Sequence, residues 1–367
     1  MKRVVAAHSS QSKQDVVTSF ADPSFSADVI RWQKQHGRHS LPWQNTRDPY
    51  RIWLSEIMLQ QTQVAAVIPY YQRFLSSFPD VSSLAAAPSE TVMAHWSGLG
   101  YYSRARNLHQ CAKRIVAEYD GVFPSDPALL VDLPGIGRST AAAIAAFSYG
   151  TRAAILDGNV KRVFARVFGI EGFPGEKKIE HSMWLRAEAL LPERELASYT
   201  QGLMDLGATL CTRSKPLCGS CPLSARCVAL ATNRTQELPE RKPKKAVPEK
   251  HTAMLILLNK NQVLLQQRPD SGIWGGLLSL PELALENIES EMYKTATLFG
   301  SSDGYTQLPS ISHGFTHFKL HITPYQISIK RRSILVGQLD YVWYDIAKLA
   351  EAPLPAPVKK LLLGIAA

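Results

Sequence analysis

The chain has 367 residues, 45% of them hydrophobic, and a formal net charge of +10. This length is enough for two domains with separate cores. No apolar run reaches the roughly 20 residues of a membrane-spanning helix, and the N-terminus lacks the long apolar stretch of a secretion signal. The composition therefore excludes a membrane-embedded protein, and the excess of basic residues favours a polyanionic partner such as nucleic acid.

The first half of the chain has the periodicity of helices. Apolar residues recur at helical spacing in four segments, at 52–67, 84–96, 104–119 and 140–147. Glycine- and proline-containing turn signals separate these segments. The pattern predicts an N-terminal extension over residues 1–25 and an all-α domain over residues 26–230.

A glycine-rich turn, VDLPGIGRST, occupies residues 131–140. Gly135 and Gly137 let the backbone approach a phosphate closely, and a helix that begins near Ser139 offers free N–H groups. This pattern is typical of a helix-hairpin-helix. Downstream, ILDGNVKRV places Asp157 before a new helix. An aspartate there is predicted to cap that helix, and a carboxylate fixed in a cleft can also stabilise a developing cation.

Four of the five cysteines lie within 17 residues, in the pattern C-x6-C-x2-C-x5-C: Cys211, Cys218, Cys221 and Cys227. In a reducing compartment such a cluster indicates metal rather than disulfides. A compact loop with one C-x2-C suits an iron–sulfur cluster better than the paired knuckles of structural zinc sites, and zinc remains the alternative. The loop also carries Arg213, Lys215 and Arg226, which predicts that it faces DNA phosphates.

The composition changes after the cysteines. Residues 231–250 hold three prolines and the basic residues Arg241, Lys242, Lys244 and Lys245, which predicts an exposed interdomain linker. From residue 252 onward, segments rich in β-branched and aromatic residues predict strands at 253–258, 262–267, 319–329 and 341–344. With a closing helix at 357–365, residues 251–367 are predicted to form an α+β domain.

The sequence resembles the helix-hairpin-helix DNA glycosylase superfamily and its endonuclease III group. The resemblance rests on three motifs in this order, namely the hairpin, LDGNVKRV and the four cysteines. The MutY family of adenine DNA glycosylases is the most similar branch, through LPW at 41–43, WLSEIMLQQTQV at 53–64 and GLGYYSRARNL at 98–108. The resemblance covers residues 26–230 and, more loosely, the rest of the chain. It implies a multidomain protein, with an all-α helix-hairpin-helix glycosylase domain, an iron–sulfur loop at 211–227, and an α+β Nudix-like domain at 251–367.

The resemblance also implies catalytic roles. Glu56 corresponds to the general acid and Asp157 to the catalytic aspartate, while Asn159 is expected to order Asp157 or the attacking water. Ser139 stands where bifunctional relatives have a lysine that forms a Schiff base, and a serine cannot form one. The predicted reaction is therefore hydrolysis without strand cleavage. The four cysteines are implied to hold a [4Fe-4S] cluster.

The same resemblance implies contacts with DNA. Gln61 and Tyr101 correspond to residues that wedge into the duplex beside 8-oxoguanine, and Thr62 and Leu99 belong to the same two segments. Gln201 corresponds to a position that contacts the extruded adenine. Gly135 and Gly137 belong to the phosphate-binding hairpin.

The C-terminal half resembles a Nudix fold at GIWGGL, residues 272–277. Where a Nudix hydrolase has its paired metal-binding carboxylates, this chain has Lys294 and Thr295, which cannot hold magnesium. The family's Phe-Ser-His loop corresponds to Phe315, Thr316 and His317, and the resemblance implies that it reads 8-oxoguanine. Thr316 keeps the hydroxyl of the serine but adds a methyl group.

The hypothesis from the sequence is a monomeric repair enzyme that removes adenine opposite 8-oxoguanine, or guanine, in duplex DNA. It is expected in the cytoplasm at the nucleoid, or in the nucleus or mitochondria of a eukaryote. A bifunctional oxidised-pyrimidine glycosylase is one alternative, against which Ser139 argues. A non-catalytic mismatch-binding protein is a second, against which Glu56 and Asp157 argue. A metal-dependent nucleotide hydrolase is a third, disfavoured by Lys294 and Thr295.

Overall fold

The computed structural model describes residues 19–242, 246–269, 271–302, 304–315, 317–332 and 340–366. The chain forms two compact units, one built from residues 1–61 and 114–243 and the other from residues 62–113 and 244–367. Within the described residues, none of the helices combines the length and the apolarity that crossing a bilayer requires.

The helices up to the end of the cysteine loop are, in chain order, α1 (Pro23–His36), α2 (Pro49–Leu59), α3 (Val64–Ser77), α4 (Val81–Ala86), α5 (Ser89–Trp96), α6 (Ser103–Tyr119), α7 (Pro127–Val131), α8 (Arg138–Tyr149), α9 (Gly158–Val167), α10 (Lys177–Ala189), α11 (Leu196–Asp205) and α12 (Val228–Ala231). A π-helical turn, Leu206–Leu210, follows α11. Helices α1, α2 and α7 each begin with proline behind a capping aspartate, a strong start signal.

Two of the predicted helical segments are interrupted. The segment at 52–67 divides into α2 and α3, because Gln61 has a positive φ of 56° that a helix cannot contain. The segment at 84–96 divides into α4 and α5 at Pro88, which lacks the N–H needed to continue the first helix. The first break places a short polar turn between two apolar segments, and this turn becomes a candidate DNA-contacting turn.

The core of the first unit joins α1 and α8–α11. Phe25, Phe164 and Tyr199 are fully buried at its centre, and three of the loop cysteines pack against its edge. The predicted linker departs from expectation in its first part, because Leu238 is buried and its carbonyl accepts from Arg166 Nε at 2.8 Å. Residues up to Glu240 therefore pack on this unit. Of the basic linker residues, Lys244 and Lys245 lie outside the described residues.

The second unit contains a mixed β-sheet with one helix inserted between strands β4 and β5. Its strands are β1 (Glu249–Asn259), β2 (Gln262–Gln267), β3 (Leu278–Ser279), β4 (Glu282–Leu283), β5 (Gly300–Ser302), β6 (Thr306–Gln307), β7 (Ile311–Gly314), β8 (Lys319–Arg332) and β9 (Tyr341–Asp345), with α13 (Ile288–Phe299) and α14 (Ala356–Ala366). The order along the sheet is β3-β2-β1-β8-β5, and β1 and β8 pair in parallel from Glu249↔Lys319 to Leu258↔Ser328. The other pairings are antiparallel.

Residues 62–113 group with the strands because polar contacts join them. Arg106 Nη1 donates to the Gly275 carbonyl at 2.6 Å, and Ser97 Oγ and Tyr102 Oη both lie 3.4 Å from the Leu354 carbonyl. The sheet itself packs α13 against Leu255, Leu257 and Ile327. The GLGYY turn and the Nudix-like domain are therefore parts of one unit.

Candidate active site

Glu56 is the central residue of the candidate active site. It lies on α2, whose other residues from Ile52 to Met58 are buried. Its half-buried side chain faces a cavity of about 230 Å³. Burial raises the pKa of Glu56 to about 8, and repulsion from Asp157 adds to the effect. Glu56 is therefore a protonated acid at neutral pH and opens into a space that a ligand can enter.

Asp157 caps the N-terminus of α9, as the sequence predicts. Its Oδ1 accepts from the Val160 N–H at 2.8 Å. Burial raises the pKa of Asp157, whereas the N–H groups of Val160 and Asn159 and the charges of Arg162 and Lys161 oppose this rise. The two carboxyls repel each other, so one of them ionises first. We assign the negative charge to Asp157 because it alone has these donors and cations.

Ser139 and Asn159 support the backbone around Asp157. Ser139 Oγ accepts from the Leu156 N–H at 2.8 Å, which ties α8 to the residue before Asp157. Asn159 Oδ1 accepts from Arg162 Nη2 at 2.8 Å, so its side chain is fixed by an arginine that the sequence did not single out. Gly207 packs closely beside it, since a Cβ there would lie 2.5 Å from the Asn159 Cβ. Asn159 is thus held in place beside Asp157.

Polar side chains organise the cavity in front of Glu56. Gln201 lines it and donates from Nε2 to Asp205 Oδ1 at 2.8 Å. Asp205 is buried and also accepts from the Arg38 N–H at 2.9 Å and Arg38 Nε at 2.7 Å. Gln44 Nε2 donates to the Arg38 carbonyl and closes the turn that contains the LPW segment. The Arg38–Asp205 pair was not predicted, because 166 residues separate the two positions in the printed sequence.

The hairpin has the predicted glycine geometry. Gly135 has a positive φ of 78°, which favours glycine, while Leu133 and Ile136 are buried and anchor the turn. Helix α8 begins after Gly137, and this N-cap residue makes no side-chain hydrogen bond to the first N–H groups of the helix. These groups are directed away from the helix at its start and form a suitable cradle for a phosphate.

The second unit presents the GLGYY turn separately. Tyr101 has a φ of 49° and 48% of its surface is exposed, whereas Leu99 is buried. The Leu99 side chain therefore packs inside the unit and leaves Tyr101 as the exposed member of the turn. Arg104 fixes the arrangement by donating from Nη2 to Thr62 Oγ1 at 3.2 Å and to the Gly100 carbonyl at 3.1 Å. In the first unit, Gln61 is also exposed and strained.

Aromatic side chains gather around the predicted 8-oxoguanine loop. Phe315 stacks on Phe318 with ring centroids 4.5 Å apart and lies 5.4 Å from Trp274. The Phe315 N–H donates to the Phe318 carbonyl at 2.8 Å and closes the loop. His317 is exposed at its tip. Thr316 lies outside the described residues.

The four loop cysteines line one apolar cavity of the first unit. The pKa of Cys221 is raised to about 11, first by burial and then by its proximity to the other three thiols. Arg166, buried in α9, contacts Cys211 Sγ at 3.4 Å and the Thr212 carbonyl at 2.7 Å. Arg162 donates to the Cys211 carbonyl at 2.8 Å. Four soft ligands facing one enclosed space fit a cluster or an ion that binds thiolates.

The segment from β4 to α13, which corresponds to the hydrolase motif of Nudix enzymes, differs in its charges from a magnesium site. Glu282 is paired with Arg268 at 2.6 Å, and Lys294 lies 3.5 Å from Glu291 on α13. These positive charges neutralise the carboxylates that stand where the hydrolase motif would begin. Among the described residues, this part of the sheet therefore offers no acidic cluster of the magnesium type.

Comparisons with known proteins identify the family of each part of the chain. Residues 54–189 match the family model of the HhH-GPD superfamily base excision DNA repair protein, and residues 252–364 match that of the NUDIX domain. The chain is 38% identical to the adenine DNA glycosylase of Buchnera aphidicola subsp. Baizongia pistaciae, across 92% of this chain and 95% of the relative. It is 31% identical to that of Mus musculus, across 98% of this chain and 81% of the relative.

A solved structure, that of a thermostable thymine-DNA glycosylase, is 29% identical with a TM-score of 0.53 and covers 57% of this chain and 96% of that chain. These matches confirm the predicted fold class, a helical glycosylase domain followed by a Nudix-like domain. The identity and coverage of the curated relatives show that the chain belongs to the adenine DNA glycosylase family, within the HhH-GPD superfamily of base excision DNA repair proteins.

Proposed function

We propose that the protein hydrolyses the N-glycosidic bond of adenine opposite 8-oxoguanine in duplex DNA and leaves the strand intact. The observation that carries this proposal is the Glu56–Asp157 pair, in which burial raises the pKa of Glu56 to about 8 beside a cavity, while backbone N–H groups and the charges of Arg162 and Lys161 counteract the rise that burial causes in the pKa of Asp157. Two carboxyls in different environments, one acting as the acid and the other as the anion, are how many enzymes cleave glycosidic bonds. The named relatives support adenine as the base.

The cavity in front of Glu56 is the proposed binding site of the extruded base. Removing a base from the stack costs a few kcal/mol, and less at a mismatch. Gln201 and the Arg38–Asp205 pair supply the polar contacts. Protonated Glu56 donates its proton to a ring nitrogen of adenine and converts the base into a neutral leaving group. The resulting Glu56 carboxylate then accepts a proton from the attacking water.

Asp157 stabilises the positive charge that develops on the sugar as the bond breaks. Its position is fixed by the Val160 N–H and by the Ser139 contact to Leu156. Ser139 itself holds backbone and has no amine for attack on the sugar. Hydrolysis by water is therefore the proposed outcome, rather than a Schiff base followed by strand cleavage.

The base opposite adenine is proposed to be read by the loop Phe315–Phe318. Stacked aromatic rings suit an unpaired or distorted base, and the exposed His317 supplies a hydrogen-bonding group. Tyr101 and Gln61 are exposed residues in strained turns, and each is proposed to enter the duplex next to the lesion. The uncapped start of α8 is proposed to bind a backbone phosphate.

The rate of base release is expected to fall above about pH 8. The acid must be protonated to act, and the pKa of Glu56 is about 8, so each further pH unit lowers kcat/KM about tenfold. Measurements below saturation are appropriate because kcat/KM reports the free protein. A rate that stays flat between pH 7 and 9.5 would remove Glu56 as the acid.

Discrimination between opposite bases tests the substrate assignment. Adenine release is expected to be fastest opposite 8-oxoguanine, slower opposite guanine and undetectable opposite thymine in single-turnover assays. His317→Ala is expected to reduce the ratio of the first two rates by about 3–10-fold, the value of one hydrogen bond. The exposed His181→Ala on α10 is the control and should leave the ratio unchanged. Equal rates opposite all three bases would contradict the proposed role of this loop.

We further propose that the four loop cysteines hold a [4Fe-4S] cluster, which when bound supplies a rigid cross-link of the loop. Purified protein is expected to be yellow-brown, with about four iron and about four sulfide per chain. Cys218→Ser should lose most of the iron, whereas Cys111→Ala, a buried thiol on α6, should keep it. Colourless protein with stoichiometric zinc would contradict the cluster.

A further inference from the structure

Two histidines and a glutamate converge where β1 and β8 begin. Glu249 and His251 are two residues apart on β1, so their side chains lie on the same face of the sheet. The parallel register places His321 of β8 directly beside His251. These three residues have no part in the glycosylase site, and the comparisons assign them nothing.

The geometry of the three side chains is close to that of a metal site. His321 Nε2 and Glu249 Oε2 lie 3.1 Å apart, and the two imidazoles stack with centroids 4.7 Å apart and planes 15° from parallel. All three ligand atoms lie within 4.8 Å of one another. Tetrahedral zinc, with bonds of about 2.0–2.2 Å, separates its ligand atoms by roughly 3.3–3.5 Å. One edge of the tetrahedron is thus nearly formed, and rotation of the exposed Glu249 and His251 side chains can close the others.

We propose that Glu249, His251 and His321 form a binding site for a divalent transition-metal ion of the zinc class. Imidazole nitrogen with one carboxylate favours zinc, cobalt, nickel or copper over magnesium and calcium, which prefer all-oxygen sites. Three protein ligands leave a position for water. Ser312 pairs with His321 in the register with β7, which places its hydroxyl on the same face for a water-mediated contact.

One neighbouring charge opposes the metal. Lys319 pairs with Glu249 in the parallel register and lies on the same face. The site therefore combines one carboxylate with one nearby ammonium group, and we expect binding in the micromolar range rather than the tight binding of buried zinc sites. Lys319→Gln should consequently strengthen metal binding.

The proposed ion would lie where β1 and β8 begin, next to the loop Phe315–Phe318. The Lys319 N–H donates to the Pro248 carbonyl at 2.9 Å, and Lys250 lies over the ring of Phe318 at 4.8 Å. A bound ion would fasten the start of β1 to the start of β8, at the base of the loop Phe315–Phe318. Metal binding is therefore expected to raise the temperature of unfolding of the full chain.

Zinc and cobalt titrations of the untagged full-length protein, with its cysteine site loaded as purified, test the proposal. We expect one additional ion per chain, with cobalt giving ligand-field bands but no thiolate charge-transfer band. His251→Gln and His321→Gln should each weaken binding at least about tenfold. His181→Gln, an exposed histidine on α10, should leave it unchanged.

Three outcomes would contradict the proposed metal site. These are no additional ion up to about 1 mM metal, a cobalt spectrum with thiolate bands, or affinities in both histidine variants equal to that of the unmodified chain. Circular dichroism and unfolding temperature without added metal check that each variant is folded. Should His321→Gln fail to fold, the exposed pair Glu249→Gln and His251→Gln decides the question, because a metal site requires both to lose affinity.

Discussion

Glu56→Gln is expected to lower single-turnover adenine release by roughly 10²–10⁴-fold, the usual contribution of a general acid, while binding of the mismatched duplex stays within about twofold. Glutamine has nearly the shape of the protonated acid but no acidic proton to transfer to the base. The same assay with Glu193→Gln provides the control, since Glu193 is an exposed carboxylate of the same unit, with 88% of its side chain accessible. Release by Glu56→Gln at the unmodified rate would refute the assigned role.

The same substitution is expected to stabilise the protein. The unfolded chain ionises Glu56 above its pKa of 4.5, whereas the folded chain keeps the proton up to about pH 8. Because the folded state binds more protons in this window, the free energy of unfolding falls as pH rises from about 4.5 to about 8. Glutamine removes this loss, so we expect a gain of about 4 kcal/mol at pH 7.5, which lies three pH units above the unfolded pKa of 4.5 at about 1.4 kcal/mol per unit, and none at pH 4. Thermal unfolding at both pH values measures it.

Asp157→Asn is expected to lower adenine release by roughly 10²–10³-fold, because the positive charge on the sugar loses its counter-charge. Asparagine caps a helix about as well as aspartate, so α9 and the fold should be retained. Excision rate and unfolding temperature measured together separate the two roles of Asp157.

Asp126→Asn is the matched control for Asp157→Asn. Asp126 caps α7 through the Ala128 N–H at 2.8 Å, but it has no position at the Glu56 cavity. Both variants should unfold at similar temperatures, and only Asp157→Asn should lose activity. Equal loss of activity in the two variants would contradict a specific role for the charge of Asp157 beside Glu56.

The features that could be predicted from sequence are local. Periodicity predicted β2 at its observed bounds, and the Asp–Gly signal correctly predicted that Asp157 caps α9. Breaks inside apolar segments were missed at Gln61, because an unfavourable φ at a glutamine leaves no compositional trace. The resemblance supplied the role of Glu56, and the structure adds the physical reason, which is burial beside Asp157.

Arginines are the functional residues that sequence reasoning missed. Arg162 and Arg166 are one turn apart on α9 and donate to carbonyl groups of the cysteine loop, while Arg104 holds the GLGYY turn. Each interacts with backbone atoms of a distant or irregular segment, so composition reveals nothing of its partners. For Arg162 and Arg166, the only available signal was their position on the helix that also contains Asn159, and for Arg104 it was its position in the GLGYYSRARNL segment.

The remaining features that the sequence did not predict are contacts between residues far apart in the chain. The strand segments of β1 and β8 were predicted, but their parallel register was not, because about 70 residues separate them in the sequence. The same limit hid the convergence of His251 with His321, and of Arg38 with Asp205. Sequence periodicity shows which face a residue occupies, whereas only the folded sheet or bundle shows which residue lies opposite.

The most direct test of the central claim is single-turnover adenine release from a duplex with one adenine opposite 8-oxoguanine, analysed with and without alkali, beside a duplex with adenine opposite thymine. We expect the damaged duplex to release free adenine without alkali and to show strand breaks only after alkali treatment. We expect neither product from the duplex with adenine opposite thymine. Strand breaks without alkali would indicate lyase chemistry, for which Ser139 provides no amine. No adenine release from the damaged duplex would contradict the account.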